Sequence, residues 1–89
     1  MSVVVKKFGA VWCGPCRALQ PVLETLKEEF AGKATIIEYD VDNSPEEAQR
    51  YGVTSIPLVI IEKDGQIVER FQGLSSKIAY TNAINEAIK

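Results

Sequence analysis

Apolar residues follow two different periods along this chain, and the changes from one to the other mark its elements. Val3-Val4-Val5 through Phe8 is a β-branched run that stops at Gly9, as a strand would. Beyond a short loop, Leu19, Val22, Leu23, Leu26 and Phe30 recur at spacings of three and four. That spacing predicts a helix over about 14–30 with one stripe turned to a core, and Gly32 just beyond it suits a left-handed stop. Pro21 lies inside this helix and must remove one of its backbone hydrogen bonds. Residues 34–41 (Ala-Thr-Ile-Ile-Glu-Tyr-Asp-Val) predict a second strand. Ser44, Pro45 and Glu47 then supply an N-cap, a proline at the first helical position and a carboxylate three residues after the cap, opening a short helix that ends at Tyr51-Gly52. Residues 58–61 and 66–71 flank Asp64-Gly65, a strong hairpin signal. Ser75 or Ser76 caps a last helix whose stripe is Ile78, Ala79, Ala83, Ile84, Ala87 and Ile88.

The resulting order is βαβαββα. Two strands joined through a helix are normally parallel with a right-handed crossover, whereas the hairpin forces antiparallel pairing. The sheet is therefore expected to be mixed, with helices on its faces, in an α/β sandwich. At 89 residues, 46% hydrophobic and 25% charged, the chain is expected to form one domain over 1–89. A chain of this size buries roughly 60 to 65% of the surface its unfolded form exposes, which allows one modest core and places any chemistry near the surface.

Ten Lys and Arg against twelve Asp and Glu give a net charge of −2, with no clustered basic footprint for a nucleic acid. The apolar runs are short, and Met1-Ser2-Val3-Val4-Val5-Lys6-Lys7 shows neither a charged leader before its apolar stretch nor a cleavage-site pattern. The expectation is a cytoplasmic protein with no membrane partner. Histidine is absent, which removes the commonest general base and the commonest metal ligand together. Attention falls on the two cysteines.

In Trp12-Cys13-Gly14-Pro15-Cys16 the first cysteine stands where a strand has ended and a helix begins, and unpaired N–H groups with partial positive charge favour a thiolate there. Cys16, one turn further in, is within bonding reach but more covered by its own helix, and Pro15 stiffens the ring between them. Disulfide exchange needs such a pair: an exposed attacker of low pKa and a neighbour that resolves the mixed disulfide. Trp12 adds an apolar collar with one polar edge. A structural disulfide, half of a zinc site and two plain buried thiols are the other readings. A four-residue ring removes little unfolded-chain entropy, and zinc wants about four ligands where this chain offers two cysteines and no histidine, so a metal site would require a dimer or carboxylates and none is expected.

Trp-Cys-Gly-Pro-Cys followed by a basic residue, with Pro21 five positions after Cys16, resembles the thioredoxin family. Nearly the whole chain takes part: Asp40-Val41-Asp42-Asn43-Ser44-Pro45, Tyr51-Gly52-Val53-Thr54-Ser55-Ile56-Pro57, Asp64-Gly65 and Gly73 all fall where that family has equivalents. The resemblance implies a thioredoxin-like three-layer sandwich in which Cys13 attacks the substrate disulfide and Cys16 resolves. It further implies that Pro57 is a cis-proline facing the pair and that the backbone of Ile56 pairs with substrate peptide. Trp12, Gly14, Pro15, the Ile56-Pro57 edge and Gly73 would form the docking surface. Gly73 reads equally well as a plain turn glycine between strand and helix.

The chain also departs from the family pattern. Thioredoxins usually place a further strand and helix before the strand that here begins almost at Met1, so the sheet is expected to have four strands in the order 2-1-3-4. The strand at 34–41 then becomes an edge, open along Thr35-Ile36-Ile37, with Glu38 and Asp40 as charge protection. Six residues before the first cysteine the family carries an aspartate that helps deprotonate the resolving thiol, and Lys7 stands there instead. The lysine that commonly partners it on the neighbouring strand is replaced by Glu38. A charge-reversed pair beneath Cys16 is expected, with Glu38 the candidate proton acceptor and Lys7 favouring thiolates; the other reading is that both side chains reach water. Gly9 replaces an aromatic, which should loosen packing beside Trp12.

The function expected from all this is reduction of protein disulfides by a monomer, recharged by the flavin- and NADPH-dependent thioredoxin reductase or by another electron donor. A glutaredoxin-like, glutathione-dependent activity is the nearest rival, although Gly14-Pro15 resembles thioredoxin. A non-catalytic subunit that uses the fold as a scaffold is the third reading.

Overall fold

A computed structural model describes residues 2–89. Its elements are β1 (Val3–Gly9), α1 (Gly14–Glu29), β2 (Thr35–Asp40), α2 (Pro45–Arg50), β3 (Leu58–Lys63), β4 (Gln66–Gln72) and α3 (Lys77–Ile88). The strands form one sheet in the order β2-β1-β3-β4. β1 is central, parallel to β2 across the α1 crossover and antiparallel to β3, and the β3-β4 hairpin turns at Asp64 and Gly65. Both turn residues have positive φ (52° and 85°), which a two-residue hairpin turn matched to strand twist demands.

Side chains of β1 alternate between two cores. Val3 and Val5, with Val59 and Ile61 of β3, meet Leu19, Leu23 and Leu26 of α1, Phe30 at its end, and Tyr80, Ile84 and Ala87 of α3. Each fully buried leucine contributes about 1.5–3 kcal/mol from transfer alone. On the opposite face Phe8, Leu58 and Ile60 pack with Tyr39, Val41, Tyr51, Val53 and Ile56, under α2 and the segment that follows it. Helices on both faces of a single sheet make three layers. Pro21 is accommodated within α1, and the Thr25 hydroxyl donates to its carbonyl at 3.1 Å.

Two helix starts differ from expectation in detail. Ser44 occupies the N-cap of α2 but its side chain makes no capping hydrogen bond; its φ and ψ of −128° and 58° lie off the usual cap geometry, and the first turn is left to the charges of Glu46 and Glu47. For α3 the cap is Ser76, whose Oγ accepts from the Ala79 N–H at 3.1 Å, while the Ser75 N–H is spent on the Tyr80 hydroxyl.

The second face also holds a polar cluster that the hydrophobic pattern does not announce. The Tyr51 hydroxyl donates to Glu62 Oε2 and accepts from Lys6 Nζ, each at 2.5 Å, and Lys6 lies 3.3 Å from Glu62 Oε1. Glu62 is buried, so its charge needs these partners. Burial pushes the Lys6 ammonium down, but hydrogen bonds to Tyr51 and Glu62 outweigh it and leave its pKa raised.

Candidate active site

The end of β1 and the start of α1 build the centre. Cys13 is the N-cap of α1 in extended conformation, and its Sγ accepts from the Cys16 N–H at 3.2 Å. Its own N–H donates to the Ala10 carbonyl, and its carbonyl accepts from the Arg17 N–H, both at 3.2 Å. Cys13 and Cys16 are joined in a disulfide with their Cα atoms 5.2 Å apart. The first turn of α1 contains no acidic residue, so nothing there competes with sulfur for the positive end of the helix. Cys13 is less exposed than the sequence suggests: it retains 6% of its surface against 3% for Cys16. Ala10, Val41 and Ile56 close over the bridged pair, and two of these come from segments distant in sequence.

Around this bridge lies an exposed rim. Trp12, Gly14 and Pro15 face solvent, and the indole Nε1 of Trp12 donates to Asp42 Oδ2 at 2.7 Å, which fixes the ring's polar edge. The Ile56-Pro57 bond is cis, Pro57 is buried, and Ile56 packs against the cysteines. The Gly73 N–H donates to the Pro57 carbonyl at 2.9 Å, and its φ of 84° needs a glycine. This is the turn geometry expected between β4 and α3, held against the Pro57 carbonyl. Val11, Leu74 and Ile78 add exposed apolar surface.

Below Cys16 stands a charged floor. Lys7 and Glu38 are register partners across β1 and β2, with Lys7 Nζ 3.5 Å from Glu38 Oε1. Lys7 is almost buried, with 10% of its side chain exposed, while Glu38 keeps 26%. Glu38 has a closer partner that the sequence reading missed: Lys27 of α1 bonds its Oε2 at 2.5 Å, and the Gln20 amide donates to the same oxygen at 3.4 Å. Burial would raise the Glu38 pKa, but the hydrogen bond and charge of Lys27, the charge of Lys7 and the Gln20 amide together hold it below its ordinary value. A carboxylate so placed is ionised and a weak base. Gly9 is closely packed on the Cys16 side: a Cβ built there would lie 3.0 Å from Lys7 Nζ and 3.2 Å from Cys16 Sγ, closer than a side-chain carbon ordinarily approaches, so glycine is what lets Lys7 and Cys16 come this near.

The sequence matches the thioredoxin family model over residues 1–86. The chain belongs to the thioredoxin family. It is 44% identical to thioredoxin of Bacillus subtilis over 85 residues, covering 96% of this chain and 82% of that protein. Thioredoxin of Listeria monocytogenes is 42% identical over 87 residues, 98% of this chain and 84% of the relative. Among solved structures, a thioredoxin variant from Halobacterium salinarum superposes with a TM-score of 0.91 at 38% identity, covering 99% of this chain and 76% of that one. Mitochondrial thioredoxin 3 of Saccharomyces cerevisiae follows at 0.86 and 33%, covering 96% and 78%. With a cysteine pair of this spacing at a helix start, this thioredoxin-family chain is a protein-disulfide oxidoreductase whose Cys13 and Cys16 form the redox-active disulfide.

Asp42 and Lys27 are the site residues that motif reading passed over. Asp42 carried a signal, since it sits in the segment that resembles thioredoxins, but its bond to Trp12 joins residues 30 positions apart. Among the described residues, no three His, Cys, Asp or Glu side chains are grouped to hold a metal ion, and no helix is long and apolar enough to cross a membrane.

Proposed function

We propose that the chain acts as one thioredoxin-like domain over 1–89, a cytoplasmic monomer that carries electrons to protein disulfides and so sustains cell redox balance. In this reading the Cys13 thiolate attacks a substrate disulfide, one substrate thiolate leaves, and a mixed disulfide forms at Cys13. Cys16 then attacks Cys13 Sγ, the second substrate thiolate leaves, and the Cys13–Cys16 bond is made. The observation that carries the assignment is the position of Cys13 Sγ at the α1 N-cap on the Cys16 N–H, where a thiolate gains a charge-assisted hydrogen bond. Trp12, Gly14, Pro15, Ile56, Pro57 and Gly73 supply the surface on which the substrate chain lies, with no role for nucleic acid, membrane or bound cofactor.

Lys7 favours the Cys16 thiolate. Its Nζ and Cys16 Sγ lie 3.0 and 3.2 Å from one point above Gly9, so they are at most about 6 Å apart. At an effective dielectric of about 20, two unit charges at that distance interact by about 3 kcal/mol before the opposing charge of Glu38 is subtracted. Replacing Lys7 by glutamine is expected to slow resolution by roughly tenfold. Glu38 serves as proton acceptor only in passing, because its pKa is held down; Glu38→Gln should change the rate by less than about twofold. Stopped-flow release of the mixed disulfide measures both.

Turnover of insulin disulfides, first with dithiothreitol and then with NADPH and a bacterial thioredoxin reductase, tests the function as a whole. Activity with the reductase identifies the flavin enzyme as a competent donor. Activity with dithiothreitol alone points to glutathione or a dedicated reductase, and inactivity with both removes the proposal in favour of a scaffold role.

A further inference from the structure

The charges beneath Cys16 continue beyond the pair of Lys7 and Glu38. Gln20, Glu24 and Lys27 stand at i, i+4 and i+7 of α1 and share one stripe of that helix. The Gln20 amide donates to Glu24 Oε2 at 2.9 Å and to Glu38 Oε2 at 3.4 Å. Lys27 Nζ donates to the same two oxygens, at 3.3 Å to Glu24 and at 2.5 Å to Glu38. Glu38 therefore stands between two ammonium groups: Lys27 holds Oε2 from the helix, and Lys7 lies 3.5 Å from Oε1 on the sheet. The helix has the closer grip. Lys27 stays charged, because its hydrogen bond to Glu38 raises its pKa against the smaller effect of burial.

Which lysine holds Glu38 matters to the sulfur. Lys7 Nζ and Cys16 Sγ both close on Gly9, 3.0 and 3.2 Å from where a Cβ would stand, and glycine is what allows that approach. A carboxylate drawn fully onto Lys7 would cancel its charge at Cys16, whereas one held back by a second ammonium leaves the three groups net positive. We propose that Lys27 is a positioning residue for resolution: it holds Glu38 toward α1 and so leaves the Lys7 ammonium to favour the Cys16 thiolate. The proposal rests on the redox reading of the pair. About three turns of helix, roughly 16 Å of rise, separate Lys27 from Cys16. Its own field at the sulfur is weak at that range, and Glu38 is the means by which it acts. A carboxylate already held by Lys27 takes little from Lys7, which is why replacing Glu38 is expected to change resolution so little.

The other charges near Cys16 have partners of their own. Arg17 is exposed, and its Nη1 donates to the Val11 carbonyl at 3.1 Å. Asp40 Oδ1 accepts from the Asp42 N–H at 2.9 Å, and Asp42 Oδ2 accepts from the Trp12 indole. Glu24, with 56% of its side chain exposed, is the more screened of the two carboxylates that Lys27 meets. Ala10, Val41 and Ile56, which close over the cysteines, bring no charge. Among the described residues, Glu38 is the carboxylate that pairs with Lys7.

Titration of Cys16 reads this directly. In a Cys13→Ser background only one sulfur ionises, and the Cβ chemical shift of isotope-labelled cysteine gives its midpoint without a reagent having to reach the buried side chain. Adding Lys27→Met is expected to raise that midpoint by about one pH unit, a loss of about tenfold in thiolate near neutral pH. With both cysteines present, Lys27→Met should slow release of the mixed disulfide by roughly threefold, since a more basic thiolate is also a better nucleophile and recovers part of the loss. Lys27→Arg keeps the cation and should hold both values at wild type. Methionine is a good helix former and Lys27 is 37% exposed, so the fold should tolerate the change. Glu38→Gln separates the proposal from a merely structural role: with the carboxylate gone, Lys27→Met should move the midpoint by less than about 0.3 unit. An unmoved midpoint, a shift that arginine does not rescue, or an equal shift in the Glu38→Gln background overturns the role of Lys27. Failure of the redox reading would show separately, as absent insulin turnover by the unaltered protein.

Discussion

Cys13→Ser is expected to abolish insulin reduction, a loss on the order of 10³-fold or more, because a hydroxyl of pKa far above neutrality replaces the one nucleophile at the α1 N-cap. Cys16→Ser should behave differently. It leaves attack intact and removes resolution, so a covalent adduct between Cys13 and the substrate should accumulate and be visible as a thiol-sensitive band on a non-reducing gel. The contrast follows from position. Cys13 Sγ is held by the Cys16 backbone N–H, which serine at position 16 still provides, so the attacking sulfur keeps its hydrogen bond. Equal loss with no adduct in either variant would contradict the assignment of roles.

Removing Glu38 should destabilise the fold more than removing Lys7. Breaking a buried ion pair by deleting one partner costs about 3–5 kcal/mol when the other charge is stranded. Lys7→Ala strands nothing, since Glu38 keeps Lys27, and Glu38 is partly exposed; a loss of about 1–2 kcal/mol is expected in urea unfolding. Glu38→Ala leaves the nearly buried Lys7 without its ion-pair partner, and about 2–4 kcal/mol is expected. The double variant should lose less than the sum by about 1 kcal/mol or more. Additive losses would show that the two charges do not interact. The pH dependence has a definite sign: a carboxylate whose pKa is lowered on folding stabilises fully above its unfolded value of 4.5, and that contribution disappears as pH falls through the lower folded value. The difference between wild type and Glu38→Gln should therefore shrink in acid below about pH 4.5.

A helical crossover and the Asp64-Gly65 hairpin made a mixed sheet legible, whereas the strand order β2-β1-β3-β4 was legible only through the resemblance to the thioredoxin family. The pairing of Lys7 with Glu38 was legible through the family pattern, by counting back from Asp42-Asn43-Ser44-Pro45 to the place of its usual lysine, and the two are register partners in the sheet. Lys27 was not, since its approach to Glu38 depends on the rotation of α1 above the sheet, which an apolar stripe defines only to within a residue. The Lys6, Tyr51 and Glu62 cluster escaped for a related reason: on a half-covered face, long polar side chains and solvated ones give the same pattern. The burial of Cys13 escaped as well, because Val41 and Ile56 reach it from remote segments. The close fit at Gly9 escaped too, because hydrophobic periodicity does not register how near Lys7 Nζ and Cys16 come to a residue that has no side chain.

The hydrogen bond from the Cys16 N–H to Cys13 Sγ makes the redox centre and the first turn of α1 a single mechanical unit. In the bridged form the acceptor is a neutral sulfur; after reduction it is a thiolate, and charge-assisted hydrogen bonds are roughly twice as strong as neutral ones. Arrival of two electrons therefore tightens the end of a helix whose other three turns are anchored by Leu19, Leu23 and Leu26. Since the rest of that helix cannot follow a change at its tip, the two redox states share one scaffold and differ in the firmness of a single turn. A partner able to sense that firmness can tell a loaded carrier from a spent one without any domain having to move.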